Sequence, residues 1–323
     1  MARTGYIWIC AALVLGAATG LAADKYAADW LSYGAGARAL GMGGAFVAVA
    51  DDGSAPYWNP AGMPAVKRAA ATAMHSYAFN GLATYDSLYG VYNFGTYGAV
   101  GAGLLRFATD DIQRTDWTIP GDPTSRPQRL GYFNWSDNGV YLSYGRGLTP
   151  WLAAGVSGVV IVGDHYRSEW NATGEAADVG LLAGPFRGFT FGLNAQDLFG
   201  RVQWKTGTTE TIPMNVKLGA AYRRAVPDWK SEFLFALGSD AKLANYGDAA
   251  QVSAGDASFD FCGGGEWWYR RTLAVRLGSE RSALTGGVGL AARALGAEFG
   301  VDYAYLSDTG LDASHRASVS VAF

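Results

Sequence analysis

Charge is scarce in this chain. Asp, Glu, Lys and Arg make up 16% of its 323 residues, against roughly 25% in an average soluble protein. With 25 basic and 28 acidic residues the formal net charge is −3 and the pI about 5.6, so the basic footprint of a nucleic-acid binder is missing. Long apolar runs are missing as well. Beyond the N-terminus no run approaches the roughly 20 apolar residues that cross a bilayer as a helix. The best candidate, 151–163, is too short and too rich in Gly and β-branched residues, which argues against a helical membrane protein. Cysteine occurs twice and histidine three times. What is plentiful is glycine, 45 residues, together with 15 Phe, 11 Trp and 18 Tyr. That aromatic content excludes disorder. An apolar, Gly-rich chain of this kind, with mean hydropathy of only +0.04, points to β structure in water or in an outer membrane.

The first residues point to export. Arg3 precedes an apolar stretch from Tyr6 to Leu15, and small residues ending Leu-Ala-Ala-Asp follow. This pattern reads as a secretory signal over 1–23. An N-terminal anchor is the rival, but the apolar core is short for one. Cys10 leaves with the signal, so Cys262 remains alone, an internal disulfide is impossible and the thiol reads as a small strand filler.

Strand periodicity carries most of the fold argument. In 294–305, Leu295, Ala297, Phe299, Val301, Tyr303 and Tyr305 fall on one face and Glu298 and Asp302 on the other, a sorting only a period of two achieves. The same alternation sets Leu218 and Tyr222 against Lys217 and Arg223, and Leu273, Val275 and Leu277 against Arg276. About fourteen such strands follow residue 66. Short connections alternate with generally longer ones at 109–137, 165–173, 197–212, 239–255 and 306–313. A secreted β-sandwich, the remote alternative, has no reason to sort its loops this way, whereas a transmembrane β-barrel does. Aromatic residues near strand ends, including Tyr144, Trp151, Trp267, Trp268 and Tyr303, suit an interfacial girdle. The expected class is all-β: a 14-stranded antiparallel transmembrane β-barrel over 67–323. Phe299 is expected near the bilayer midplane. The closing Ser-Val-Ser-Val-Ala-Phe ends on Phe323, which resembles the signal read by the barrel assembly machinery.

Residues 24–66 do not read as a spanning strand. They contain GARALGMGGAFVAVADDGSAPYWNPAGM at 36–63, and DVGLL (178–182), GLNAQDLFG (192–200), IPMNVKLGAAYR (212–223) and SHRASVSVAF (314–323) come later. These segments resemble the PorV/PorQ-type proteins of the FadL-like outer-membrane family. The resemblance implies an N-terminal hatch folded inside the lumen, whose Asn-Pro-Ala signature falls on Asn59, Pro60 and Ala61. It also implies two functions. One is passage of small hydrophobic molecules across the outer membrane of a Gram-negative-type bacterium. The alternative is a type IX secretion role that binds secreted cargo proteins at the cell surface. In either case outer-membrane lipid and the assembly machinery are the expected partners.

The hatch candidates are Asp51, Asp52, Trp58, Asn59, Pro60 and Ala61. The prolines favour a fixed irregular path, and the Asn59 amide can both donate and accept. Asp51 and Asp52 are expected to bond inward cations such as Lys217, Arg223 or Arg276; Glu298 and Asp302 are further lumen-facing candidates. Other readings are weak. GMGGAF lacks the third glycine of a dinucleotide loop and no Gly-Lys-Ser/Thr follows. Asp51-Asp52 lacks calcium-loop spacing. No cofactor or metal motif is present. His75, His165 and His315 sit in separate segments. Asp164 and His165, as strand neighbours, point to opposite faces and read as solvated loop residues. No enzyme is expected.

Overall fold

The structure, a computed structural model, describes residues 26–78, 81–119, 121–307 and 313–323. Residues 1–23, the expected secretory signal, lie outside the described residues. The sheet contains sixteen strands, two of them three-residue pieces on loops (Thr209–Thr211 and Val252–Ala254), which leaves fourteen for the wall. These are β1 (Ala69–Ala78), β2 (Ala83–Asn93), β3 (Ala99–Trp117), β4 (Pro127–Thr149), β5 (Leu152–Asp164), β6 (Ala172–Phe186) and β7 (Phe189–Trp204). The second half comprises β8 (Asn215–Val226), β9 (Ser231–Lys242), β10 (Ala257–Tyr269), β11 (Leu273–Glu280), β12 (Ala283–Ala294), β13 (Ala297–Leu306) and β14 (Ser314–Ala322). Each strand pairs antiparallel with its sequence neighbours. β14 returns to β1 with Ala70 opposite Ala322 and Tyr77 opposite His315, closing the barrel.

Alternation decides which residues face out. Leu142, Leu218, Phe235, Leu237, Leu277 and Val301 are exposed, while their strand neighbours Tyr141, Lys217, Leu234, Ala236, Arg276 and Asp302 are buried. The outer surface is thus a largely apolar wall and most polar side chains of the strands gather inside, the inverse of a soluble protein.

Several boundaries differ from expectation. Most of 109–137 is not loop: β3 and β4 continue as a ribbon to the pair Trp117–Pro127, past register shifts after Thr109 and Arg114. Similarly, β7 runs on to Trp204, so only part of 197–212 is loop. In the β3–β4 ribbon alternation fades because neither face meets a core, whereas the β7 extension keeps Leu198 and Val202 buried but is interrupted by positive φ at Asp197 and Phe199. Leu295 is not an outward strand residue. With φ of 55° and nearly full exposure it forms the β12–β13 turn with Gly296, and Arg293 belongs to β12. Phe299 consequently sits near the short-turn rim rather than at mid-wall, two residues into β13.

Residues 26–66 lie inside the wall. They comprise α1 (Ala37–Gly41), α2 (Ala55–Trp58) and 3₁₀ turns at Asp29–Tyr33 and Pro60–Ala65. The segment starts at the long-loop end, where the Asp29 carboxylate meets Lys242 Nζ at 2.6 Å and Tyr26 packs edge-on against Tyr246. It ends at the short-turn end, where β1 begins. Inward glycines make room for it. A Cβ on Gly278 would stand 2.6 Å from Gly43 N, one on Gly101 would stand 2.6 Å from Met63 Sδ, and one on Gly180 would strike Asn59 Oδ1. Gly43 itself has φ of 67°, a backbone that only glycine adopts without strain.

Candidate functional site

The residues that fasten this inner segment to the wall form the candidate site. Asn59 is fully buried. Its Nδ2 donates to Val47 O at 2.9 Å and to Leu181 O of β6 at 3.1 Å, with a longer contact to Leu193 O of β7 at 3.4 Å. Its Oδ1 accepts from Ala61 N at 3.0 Å, which caps the turn that starts at Pro60. One amide therefore joins two stretches of the segment to two wall strands. Return contacts come from the wall, since Asn194 Nδ2 donates to Trp58 O at 3.0 Å and Gln196 Nε2 to Tyr57 O at 2.9 Å. Trp58 donates from Nε1 to Ala35 O at 2.8 Å and packs against Phe46 and Tyr57. The Pro60 carbonyl lies against Gly145 and Gly155, and Ala61 is buried beside it.

The charged contacts form a chain across the lumen. Asp302 on β13 meets Arg276 Nη1 at 2.7 Å, and Arg276 Nε meets Glu266 Oε2 of β10 at 2.7 Å. Glu266 then takes Arg38 of α1 in a two-pronged contact, both bonds at 2.9 Å. Arg38 continues to Asp51 at 2.7 Å and Asp52 at 3.0 Å. Asp51 binds Arg223 of β8, and Arg223 reaches Glu232 of β9 at 3.0 Å. Bidentate arginine–carboxylate bonds of this kind fix geometry as well as charge. Burial alone would push the Asp51 carboxyl up, but the Arg38 and Arg223 guanidiniums overcome it and hold it below the usual carboxylate range.

The sequence-selected residues divide as follows. Asp51, Asp52 and Arg223 meet within this chain, and Arg276 and Asp302 belong to its wall end. Arg276 does not touch Asp51 or Asp52. Lys217 does not either: its Nζ is 2.5 Å from Asp240 and lies over the Trp58 ring at 5.9 Å. Glu298 faces inward only at the rim, where it pairs with Arg293 at 2.8 Å. Phe323 donates from its backbone N to Ala69 O at 2.9 Å, at the closing seam.

Arg38 and Glu266 are the residues that sequence reasoning missed. The parity of β10, with Trp267 outward, already placed Glu266 inward. The same parity corrects Trp268, which is not part of an outer girdle but lies inside beneath Arg276, 5.5 Å from its ring centroid. His165 is likewise not solvated. It is buried, stacked on Trp135 at 3.6 Å between centroids, with Nδ1 2.6 Å from Trp170 O and Nε2 3.2 Å from Asp137.

Below the ion chain a cavity of about 730 Å³ reaches the short-turn end, bordered by Arg38, Asp51, Arg223, Trp268, Arg293 and Phe323. Its polar groups are largely paired with one another, so the arrangement suits a hydrated vestibule beneath a plugged lumen.

No protein-family model and no curated protein matches the sequence. Solved structures do match. The Ralstonia pickettii toluene transporter TbuX is 12% identical with a TM-score of 0.54, covering 90% of this chain and 97% of its own. The Pseudomonas putida toluene transporter TodX is also 12% identical, with a TM-score of 0.53 over 89% and 96%. A Pseudomonas aeruginosa FadL homologue is 11% identical, with a TM-score of 0.52 over 87% and 96%. At such identities the likeness concerns architecture: the chain has the fold of the FadL-like transporters, a closed 14-stranded antiparallel barrel.

Proposed function

We propose that the protein is an outer-membrane channel for small hydrophobic molecules, that residues 24–66 are its hatch, and that 1–23 is a cleaved signal. The observation that carries this reading is the plugged lumen: an apolar wall encloses a segment fastened by Asn59 and by the Arg38-centred ion chain. A permanent water-filled pore has no use for such a segment. A channel that must keep ions out while admitting apolar solutes does. The toluene transporters that share the fold support the choice of solute class. The similarity of segment 36–63 to PorV/PorQ-type proteins supports placing the chain in that branch of FadL-like barrels. Asp51, Asp52 and Asn59 act in this reading as fasteners rather than as ligands of the solute, and Phe323 marks the strand read by the assembly machinery.

The test is uptake of toluene into proteoliposomes containing the purified barrel. Faster uptake than in empty vesicles, altered in Asn59→Ala, is the expected result. Uptake equal to that of empty vesicles, with the barrel folded, would reject the channel reading.

A further inference from the structure

The outer wall carries a polar row near the long-loop end, separate from the outward Glu175–Arg201 pair of β6 and β7. His75 of β1, Asp86 of β2, Arg106 of β3 and Asn138 of β4 are successive cross-strand partners. All four face outward, because their neighbours Ser76, Tyr85, Ser87, Leu105 and Gly139 are buried against the interior. His315 of β14 stands one outward position further towards the long-loop end, opposite Tyr77, with Nδ1 2.6 Å from the Tyr303 hydroxyl. Towards the short-turn end the next outward residues are Ala73, Leu88, Leu104 and Val140.

The pairing inside this row is uneven. Asp86 is taken by His75, Nδ1 to Oδ1 at 2.5 Å. Arg106, although directly opposite Asp86, has no ion-pair or hydrogen-bond partner among the described residues. It is therefore a permanent cation without a bonded partner on the outward face of the wall. At mid-bilayer such an arginine costs roughly 2–4 kcal/mol, falling towards zero at the interface. Asp86 lies eight residues from Phe94 at the short-turn end, about 20 Å along the barrel axis for strands rising roughly 3.3 Å per residue and tilted roughly 40°. An apolar band of roughly 25 Å would then end close to this row.

Resting on the outer-membrane reading, we infer that Arg106, standing between Asp86 of the His75–Asp86 pair and Asn138, docks the phosphorylated headgroup of an outer-leaflet glycolipid. The guanidinium fork matches phosphate oxygens in two-pronged fashion. Asn138, and the His75 and His315 ring nitrogens that bond neither Asp86 nor Tyr303, offer further polar contacts to the sugar. The aliphatic rows beneath take the acyl chains. The patch spans the β14–β1 seam and its neighbours, so a bound lipid would brace the closure of the barrel.

The test is native mass spectrometry of the full barrel released from vesicles containing a bisphosphorylated lipid A and phosphatidylglycerol in equal amounts. Wild type should retain the glycolipid in preference to phosphatidylglycerol. Arg106→Leu should retain about tenfold less, the loss of one charge-assisted pair, and Arg106→Lys should recover part of it. Heat-modifiable gel migration confirms that each variant is folded. Equal glycolipid retention by wild type and Arg106→Leu would overturn the inference, as would equal retention of the two lipids by wild type. Toluene uptake measured on the same preparations separates the two ideas: lost preference with uptake intact defeats the docking site alone.

Discussion

Replacing Asn59 by alanine tests the fastening of the inner segment most directly. The change removes bonds to Val47 O, Leu181 O and Ala61 N at 2.9–3.1 Å, all at a fully buried side chain. A typical buried hydrogen bond contributes about 1 kcal/mol net, and a buried group left unsatisfied costs more. The loss should therefore be about 3–4 kcal/mol of docking free energy, two to three orders of magnitude in the docked-to-undocked ratio. The wall loses little, because its strands keep their own ladders and their outward apolar face. Hydrogen exchange read by mass spectrometry can separate the two. Amides of 45–62 should lose protection by a factor of several hundred, while those of β8 to β12 stay as in wild type. Unchanged exchange in 45–62 would refute the energetic reasoning. Collapse of protection throughout the strands would show that the segment is a strut on which the wall depends.

Gly180→Ala should mimic the Asn59 variant from the other side, since its Cβ would strike Asn59 Oδ1; overpacking of this kind costs about 1–3 kcal/mol, and normal protection of 45–62 would count against it. Val301→Arg, outward at mid-strand, should lower folding stability in lipid by about 2–4 kcal/mol. Glu298→Gln at the inner rim should be far milder, and equal effects in a urea-refolding assay would invalidate the facing assignment. The Asp51 carboxyl titrates below its unfolded value of roughly 3.9. Its contribution to docking is present in full above about pH 4 and is lost as pH falls through the folded value. Exchange in 45–62 should be the same at pH 7 and 5 after correction for intrinsic rates; loosening already at pH 5 would contradict the assignment. The ribbon of β3 and β4 beyond Thr109 should be cut by protease added to intact cells, and cleavage only after outer-membrane rupture would reverse the topology.

How much of this was legible in the sequence depended on what each residue faces. Where one side of a strand meets lipid-like surroundings and the other a packed interior, as in β13 with Phe299, Val301 and Tyr303 against Asp302, alternation is clean and strand number follows from it. Where both sides meet water, as in Gln113–Thr115, alternation vanishes and a strand reads as a loop. Asn59 stood out because the Asn-Pro-Ala signature of the FadL-like resemblance falls on it, and its amide can both donate and accept. Partner choice did not stand out. Whether Asp51 meets Arg38, Arg223 or Lys217 depends on how the segment winds across the lumen, and parity reports only which way a side chain faces. His165 failed for a related reason: its burial arises from Trp135 and Trp204, brought together by β4 and β7.

The path of the inner segment constrains the order of assembly. It runs from Asp29, at Lys242, to the start of β1 at the opposite end, and on the way it binds β6, β7, β8 and β10. The ladder from Ala70–Ala322 to Tyr77–His315 is the one joining the two sequence-distant ends of the wall, and forming it carries the largest loop-closure cost of any strand pair. Once that seam has zipped, a segment outside could enter only by being threaded lengthwise into the lumen. Seating the segment while the sheet is still open avoids that route, and the β14–β1 seam then closes around it. The Ser318 hydroxyl of β14 then accepts a bond from Ala37 N at 3.2 Å, so the final strand docks on the inner segment as well as on β1, and a seated interior becomes part of the surface on which closure is templated.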